Sequence, residues 1–226
     1  MEKMNIVRIS GDACHVLSFA LLWHRVKGAN VRGISRNTQD LFLLTFILRY
    51  VDLAWDWYSI YNTFLKVLYI GWSGIVCVQL RRRVSHAADY ESIGRLKLVL
   101  FAAIMGCISQ QYSRNRVTMP VFETSWEISL WLESVAILPQ LTMLQKHGFV
   151  ENLTSHYIAS LGVYRLLYIV NWLYRWRVEK HRTEYVVWTT GVVQTIMYID
   201  FFYIYCITKR DGMQKPMKLD EVDAVV

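Results

Sequence analysis

Proline is scarce, three in 226 residues, and neither proline nor glycine gathers into a run. That excludes a set of domains strung on linkers, and no low-complexity stretch occurs. The four cysteines (Cys14, Cys77, Cys107, Cys206) share no metal-ligand spacing and all fall in apolar segments. They read as small buried hydrophobes, so neither a disulfide framework nor a metal centre is implied. No cofactor is expected. The connections are short except the third, about residues 81–95, which is polar, and no room is left for a soluble domain.

What fills the chain instead is apolar surface. Hydrophobic residues make up 54% and aromatics 14%, above the roughly 45–50% apolar of soluble domains. The excess collects into seven blocks, at 6–24, 38–57, 62–80, 96–112, 126–145, 154–174 and 185–208. Each is close to the ~20 residues that cross a bilayer as a helix. The first block carries Arg8, Asp12 and His15 and lacks a small-residue cleavage site, so it is expected to stay as a span rather than be removed as a signal peptide. The sequence therefore predicts an all-α integral membrane protein of seven transmembrane helices. Its membrane domain would be 1–208, with a charged tail over 209–226.

A net charge of +7 could suggest nucleic acid, but the placement of the charges excludes it. Of the twenty-five Lys and Arg, fourteen lie in connections one, three and five and in the tail: Arg25, Lys27, Arg32, Arg36, Arg81, Arg82, Arg83, Arg95, Lys97, Lys146, Lys209, Arg210, Lys215 and Lys218. The opposite side holds seven: Lys3, Arg114, Arg116, Arg175, Arg177, Lys180 and Arg182. The positive-inside rule then sets the tail in the cytoplasm and the N-terminus in the lumen or exterior. The basic run Arg175–Arg182 runs against that bias, unless it serves as an anion-attracting luminal mouth.

A faint internal echo recurs at an offset of 116 residues, where Leu48-Arg49-Tyr50 reads against Tyr164-Arg165-Leu166. It fits a three-plus-one-plus-three plan, a SWEET-like pair of triple-helix bundles with the binding site between the repeats.

Charge inside the spans is the informative anomaly. Each such group costs at least ~2.5–3.5 kcal/mol at the bilayer centre, so it faces a partner or a cavity. Arg8, Asp12 and His15 lie in the first span, Arg49 and Asp52 in the second, Glu123, Glu127 and Glu133 around the fifth, Arg165 and Arg175 in the sixth and Asp200 in the seventh. Asp12 with His15, and Arg49 with Asp52, share helix faces at i, i+3. Arg165, Tyr168, Trp172 and Arg175 draw one polar, aromatic stripe. Plain interhelical salt bridges would account for such a set. So would a water-filled cavity for a zwitterionic, mostly anionic ligand, whose carboxylates arginine binds bidentately and whose ammonium an aromatic wall accepts beside a carboxylate. His15 adds a group that changes charge near neutral pH.

These residues resemble the KDEL receptors, the ER lumen protein-retaining receptors. The likeness runs from Met4-Asn5-Ile6-Val7-Arg8 to about Lys209. It is carried by Gly11-Asp12 with His15, Arg49-Tyr50-Val51-Asp52-Leu53, Tyr61-Asn62-Thr63 with Lys66, and Thr154-Ser155-His156-Tyr157. Most specific are Leu132-Glu133-Ser134-Val135-Ala136-Ile137-Leu138-Pro139-Gln140-Leu141 and Leu161-Gly162-Val163-Tyr164-Arg165. Tyr168, Asn171, Trp172 and Asp200-Phe201-Phe202-Tyr203 extend it, and Pro139-Gln140 is the dipeptide of the PQ-loop proteins. The resemblance implies a non-enzymatic receptor. It would bind C-terminal KDEL-type signals in the acidic Golgi and release them in the neutral endoplasmic reticulum, with its N-terminus luminal and its tail cytoplasmic. It implies that Arg8, Arg49 and Arg175 bind carboxylates beside Tyr50, Tyr168 and Trp172, with Arg165 as a further basic wall. Asp52 and Glu123 would take the signal's lysine, walled by Trp126 and Tyr164, and His15 with Glu133 would form the pH latch. The partners implied are signal peptides, membrane lipid and a vesicle coat at the tail. The tail lacks an adjacent lysine pair, since Pro216-Met217 separates Lys215 from Lys218. Trp55, Asp56 and Tyr58 also depart from the family pattern.

Three other readings were open. A PQ-loop transporter of a sugar or amino acid would want a sparsely charged lining. An intramembrane aspartyl protease would need Asp52 and Asp200 in a protease motif, which is absent, and a signalling seven-helix receptor would carry longer connections. The topology itself makes a prediction. The sequon Asn152-Leu153-Thr154 falls in a connection placed in the cytoplasm. Endoglycosidase treatment of protein from a eukaryotic host should therefore leave its gel mobility unchanged, and a shift would reverse the orientation.

Overall fold

The computed structural model describes residues 5–28, 31, 33–54, 59–83, 94–112, 120–147, 152–178 and 184–210. Trp55, Asp56, Tyr58, Lys180, Arg182 and the tail beyond Arg210 lie outside the described residues, as do the side chains of Asp200 and Cys206. Among the described residues every regular element is helical. The order is α1 (Ile6–Lys27), α2 (Arg36–Arg49), a 3-10 turn η1 (Val51–Ala54), α3 (Ile60–Arg83), α4 (Arg95–Tyr112), α5 (Pro120–Val135), α6 (Leu138–His147), α7 (Asn152–Val178) and α8 (Tyr185–Arg210).

Two of these, α1 and α3, are long and apolar enough to cross a membrane by length and composition. The surface pattern points the same way. Leu96, Leu100, Ile104 and Ile108 form an exposed stripe on α4, and Ile60, Phe64, Val67, Ile75 and Val78 are exposed on α3. Meanwhile Asp12, Arg25, Arg36, Asp52, Glu127, Glu133 and Arg165 are buried. Apolar outside and charged inside inverts the arrangement water imposes, and suits a hydrocarbon surround.

Two apolar blocks that the sequence reads as single spans are interrupted. The second breaks at Tyr50, whose φ of −109° and ψ of 28° leave the α region. A 3-10 turn follows, opened by Leu53 N–H donating to Tyr50 O at 3.1 Å. The fifth begins earlier than expected, at Pro120, and breaks between Val135 and Leu138. Pro139 is the cause: it has no N–H to give Val135, and its ring would meet that carbonyl in a continuous helix.

The freed groups at this break are re-paired with the start of α2. Gln140 N–H donates to Thr38 Oγ1 at 2.9 Å, and Gln140 Oε1 accepts from Ser35 N–H at 2.8 Å. Ser35 in turn caps α2, its Oγ accepting from Thr38 N–H at 3.3 Å. Ser35, Thr38 and Gln140 are all fully buried. In an apolar surround an unmade backbone bond is costly, so the Pro139-Gln140 dipeptide both makes the break and repairs it.

The chain forms two compact units, one of residues 1–34 and 143–226, the other of 35–142. In the first, α1 packs along α7, and α7 against α8. In the second, α5 packs against α4, α2 and η1, and α2 against α3. Close packing thus groups α1 with α7 and α8, a different grouping from the order of the sequence repeat. The α4–α5 approach is tight enough to require a glycine: a Cβ on Gly106 would fall 2.8 Å from the Ile128 Cα and N, the small-residue contact by which membrane helices close on one another.

The Pro139-Gln140 junction sets a measurement. Gln140→Ala strands the buried Ser35 N–H and should cost about 1–3 kcal/mol, read as a lower unfolding temperature in detergent. Gln140→Glu keeps an acceptor there and should lose less; equal losses would remove Ser35 as the cause.

Candidate functional site

The sequence-predicted site residues divide between the two units. The first unit brings together Arg8, His15, Tyr164, Arg165, Tyr168, Trp172 and Arg175 on α1 and α7. Asn5 caps α1, its Oδ1 accepting from Arg8 N–H at 2.8 Å. Its Nδ2 donates to Asn171 Oδ1 of α7 at 2.6 Å, which fixes the register of the two helices. One turn further, Gly11 lets Tyr168 lie against the α1 backbone, since a Cβ there would meet the ring at 2.9 Å. The Tyr168 hydroxyl reaches Asp12 Oδ1.

His15 is 9% exposed and stacks on Tyr164, rings parallel to 6° and centroids 4.2 Å apart. Phe19 stacks on it at 5.3 Å. Arg165, 3% exposed, lays its guanidinium 5.3 Å from the centre of the Trp172 ring. Trp172 meets Tyr168 and Trp188 edge-on, and Gly191 of α8 makes room for it, a Cβ there falling 2.7 Å from the indole. Arg175 sits half-buried in the last turn of α7. Most of the stripe read from periodicity is therefore a wall of cation and aromatic rings, from Tyr164 to Trp172, with Arg175 one turn beyond.

The second unit holds Arg49, Tyr50, Asp52, Glu123, Trp126 and Glu133. Arg49 Nε donates to Ser129 Oγ at 3.1 Å, and its Nη1 donates to Glu133 Oε2. Glu133 is 2% exposed and Ser129 fully buried, so α2 is tied to α5 by a charged bond in a dry setting. Asp52, on η1, takes a donation from Lys66 Nζ of α3 at 2.5 Å. Lys66 Nζ also lies 5.7 Å from the centre of the Tyr50 ring, and Tyr50 stacks with Phe46 and Tyr69. Glu123 and Trp126 are half-buried in the first two turns of α5, the helix that η1 packs against.

Two pairings escaped sequence reasoning. Lys66 lies well inside the predicted third span, and charge balance with Asp52 was the signal that could have found the pair. Glu127, 3% exposed, has its Oε2 2.5 Å from the Ser109 hydroxyl on α4, and Trp131 Nε1 donates to the same hydroxyl at 3.3 Å. Among the described residues no group of three or more His, Cys, Asp or Glu could hold a metal ion. The two members of the expected latch fall in different units, His15 against Tyr164 and Glu133 against Arg49. Chemically, one unit offers cations and aromatic faces suited to carboxylates, and the other offers carboxylates with aromatic walls suited to an ammonium.

Comparison with known proteins shows what the chain is similar to. A family model described as ER lumen protein retaining receptor matches residues 30–175. The chain is 40% identical over 210 residues to ER lumen protein-retaining receptor A of Arabidopsis thaliana, covering 91% of this chain and 95% of that one. It is 39% identical over 207 residues to the ER lumen protein-retaining receptor of Saccharomyces cerevisiae, covering 89% and 94%. With ER lumen protein-retaining receptor 3 of Danio rerio it shares 40% over 205 residues, covering 89% and 92%.

The Arg49–Glu133 pair can be tested for its structural share. Removing one partner of a buried ion pair costs about 3–5 kcal/mol, because the other charge stays buried. Glu133→Ala should therefore lower thermal stability in detergent markedly, and Arg49→Leu added to it should restore a large part. A double variant no more stable than the single would show that the loss lies elsewhere.

Proposed function

Because the chain belongs to the ER lumen protein retaining receptor family, and so is a receptor for retained luminal proteins rather than an enzyme, we propose that it reads the C-terminal KDEL-type signal of those proteins by charge. The observation that carries the reading is the family match itself, along nine-tenths of the chain with the relatives named above. The chemistry of the two units supports it. Arg8, Arg49 and Arg175, with Tyr50, Tyr168 and Trp172 beside them, bind the signal's terminal and side-chain carboxylates. Arg165, stacked on Trp172, supplies a further basic wall. Asp52 and Glu123 accept the signal's lysine, with Trp126 and Tyr164 as walls. A guanidinium matches a carboxylate with two parallel bonds, and a dry setting strengthens each of them.

The receptor works by proton-gated exchange between two compartments. In the acidic Golgi His15 carries its second proton, pairs with Glu133, and favours the arrangement that holds the peptide. As pH rises through the histidine range, near ~6.5 when unperturbed, the proton leaves and the cargo is released in the endoplasmic reticulum. Tyr164, stacked on the imidazole, and Asp12, one turn earlier on α1, are further groups beside it. Arg49 engages Glu133 within its own unit.

The same reading gives the architecture its finer form. With α2 and η1 taken as one span, and α5 and α6 as another, the helices number seven, in a three-plus-one-plus-three order. Residues 1–208 form the membrane domain, with the N-terminus luminal. The tail over 209–226 is cytoplasmic and meets a vesicle coat. Membrane lipid surrounds the exposed apolar faces.

The experiment is binding of a labelled peptide with a KDEL-type end to purified receptor, at mildly acidic and neutral pH, beside the same peptide C-terminally amidated. Tight binding only in acid, abolished by amidation, is expected. His15→Ala should flatten the pH dependence, and a variant that kept it in full would remove His15 from the gate. No binding of any such tail at either pH would overturn the receptor reading.

A further inference from the structure

The site that would read the signal's lysine already contains an ammonium group. Lys66 Nζ lies 2.5 Å from Asp52 Oδ2 and 5.7 Å from the Tyr50 ring centre. The pair is largely enclosed, with side-chain exposures of 16% and 9%. Asp52 Oδ1 is buried and accepts no hydrogen bond from the described residues. A carboxylate against an aromatic face is the arrangement that receives a cationic side chain, and here one oxygen is taken by the chain's own lysine while the other waits.

We propose that Lys66 is an internal competitor for the signal's ammonium group, and that it sets how strongly the receptor discriminates for a cation at the fourth position from the peptide's end. The inference rests on the reading that Asp52 accepts that ammonium. With Lys66 in place the Asp52 pair is close to neutral, so an arriving cation meets little net attraction from it. It must displace Lys66 or share the carboxylate with it. Either course subtracts from the gain of binding, because affinity is the difference between the contacts made and those given up. Lys66 is fitted to this exchange, since a lysine is a compact charge on a flexible stem that can swing away from the carboxylate.

The resident cation also has a use. Without a peptide, an unpaired Asp52 buried among α2, α3 and α5 would carry a large desolvation penalty. Lys66 removes that penalty in the empty receptor and yields its place in the filled one. Selectivity is thereby lowered to a working level rather than lost, a case of specificity set by what a ligand must displace.

The test compares peptides ending Lys-Asp-Glu-Leu and Ala-Asp-Glu-Leu on the full-length receptor at acidic pH. Lys66→Met keeps length and apolar stem but removes the charge. It should tighten the lysine peptide several-fold over the alanine peptide, raising the ratio of the two affinities above wild type. Lys66→Arg, which restores a cation, should keep the ratio near that of wild type, and Asp52→Asn should bring the ratio towards one. If Lys66→Met lowers both affinities alike, or lowers the ratio, Lys66 only holds Asp52 in place and the competitor role is wrong. A poorly folded Lys66→Met variant leaves Lys66→Gln and the Arg variant to decide the same ratio. Wild type that binds neither peptide defeats the receptor reading itself, an outcome distinct from an unchanged ratio in a receptor that binds both.

Discussion

Charge buried among apolar helices has to be matched, and that constraint shapes both units of this protein. Water can satisfy a stray carboxylate on a soluble domain at little cost. A hydrocarbon surround cannot, and each unmatched charge there costs several kcal/mol. Three sets of charges described in the second unit therefore have a visible answer: Arg49 with Glu133, Lys66 with Asp52, the Ser109 hydroxyl against Glu127. These bonds run between helices, so the matching of charge also fixes how α2, α3, α4 and α5 pack.

The two helix interruptions follow from the same accounting applied to the backbone. Pro139 removes one donor from the fifth span, and Gln140 with Ser35 and Thr38 restores the balance by tying the break to the head of α2. At Tyr50 the helix tightens into a 3-10 turn, which places Asp52 against Lys66 while Arg49, one turn back, still reaches Glu133. A continuous helix would have set Arg49 and Asp52 on one face at i, i+3. The turn instead gives them separate partners, and the second unit can present a cation and an anion side by side.

Matching charges this way also leaves groups that can change partners. A salt bridge in a dry setting is worth little net over an apolar contact, though breaking it one-sidedly is costly. A ligand that brings its own carboxylates and ammonium can therefore take over the existing bonds, each side exchanging one partner for another. Filled and empty states can then lie close in free energy, since each bond made replaces one given up.

Much of this was legible in the chain. The all-helical class followed from block lengths near the thickness of a bilayer. The stripe Arg165, Tyr168, Trp172, Arg175 followed from a 3.6-residue period, and it is the wall seen on α7. The Asp12–His15 face was legible too, because both lie within one helix where spacing alone sets direction. What the sequence left open was pairing between helices. Arg49 had three acidic candidates on the fifth span and found Glu133; Asp52 was read toward a ligand and found Lys66. Sequence spacing fixes neighbours along one helix, since the backbone hydrogen bonds are local. Neighbours across helices depend on register, crossing and the glycines that permit close approach, as at Gly11 and Gly106. Those are settled only when whole faces pack. The sequence by itself determined which residues carry charge into the apolar interior; only the tertiary structure decided which charge answers which.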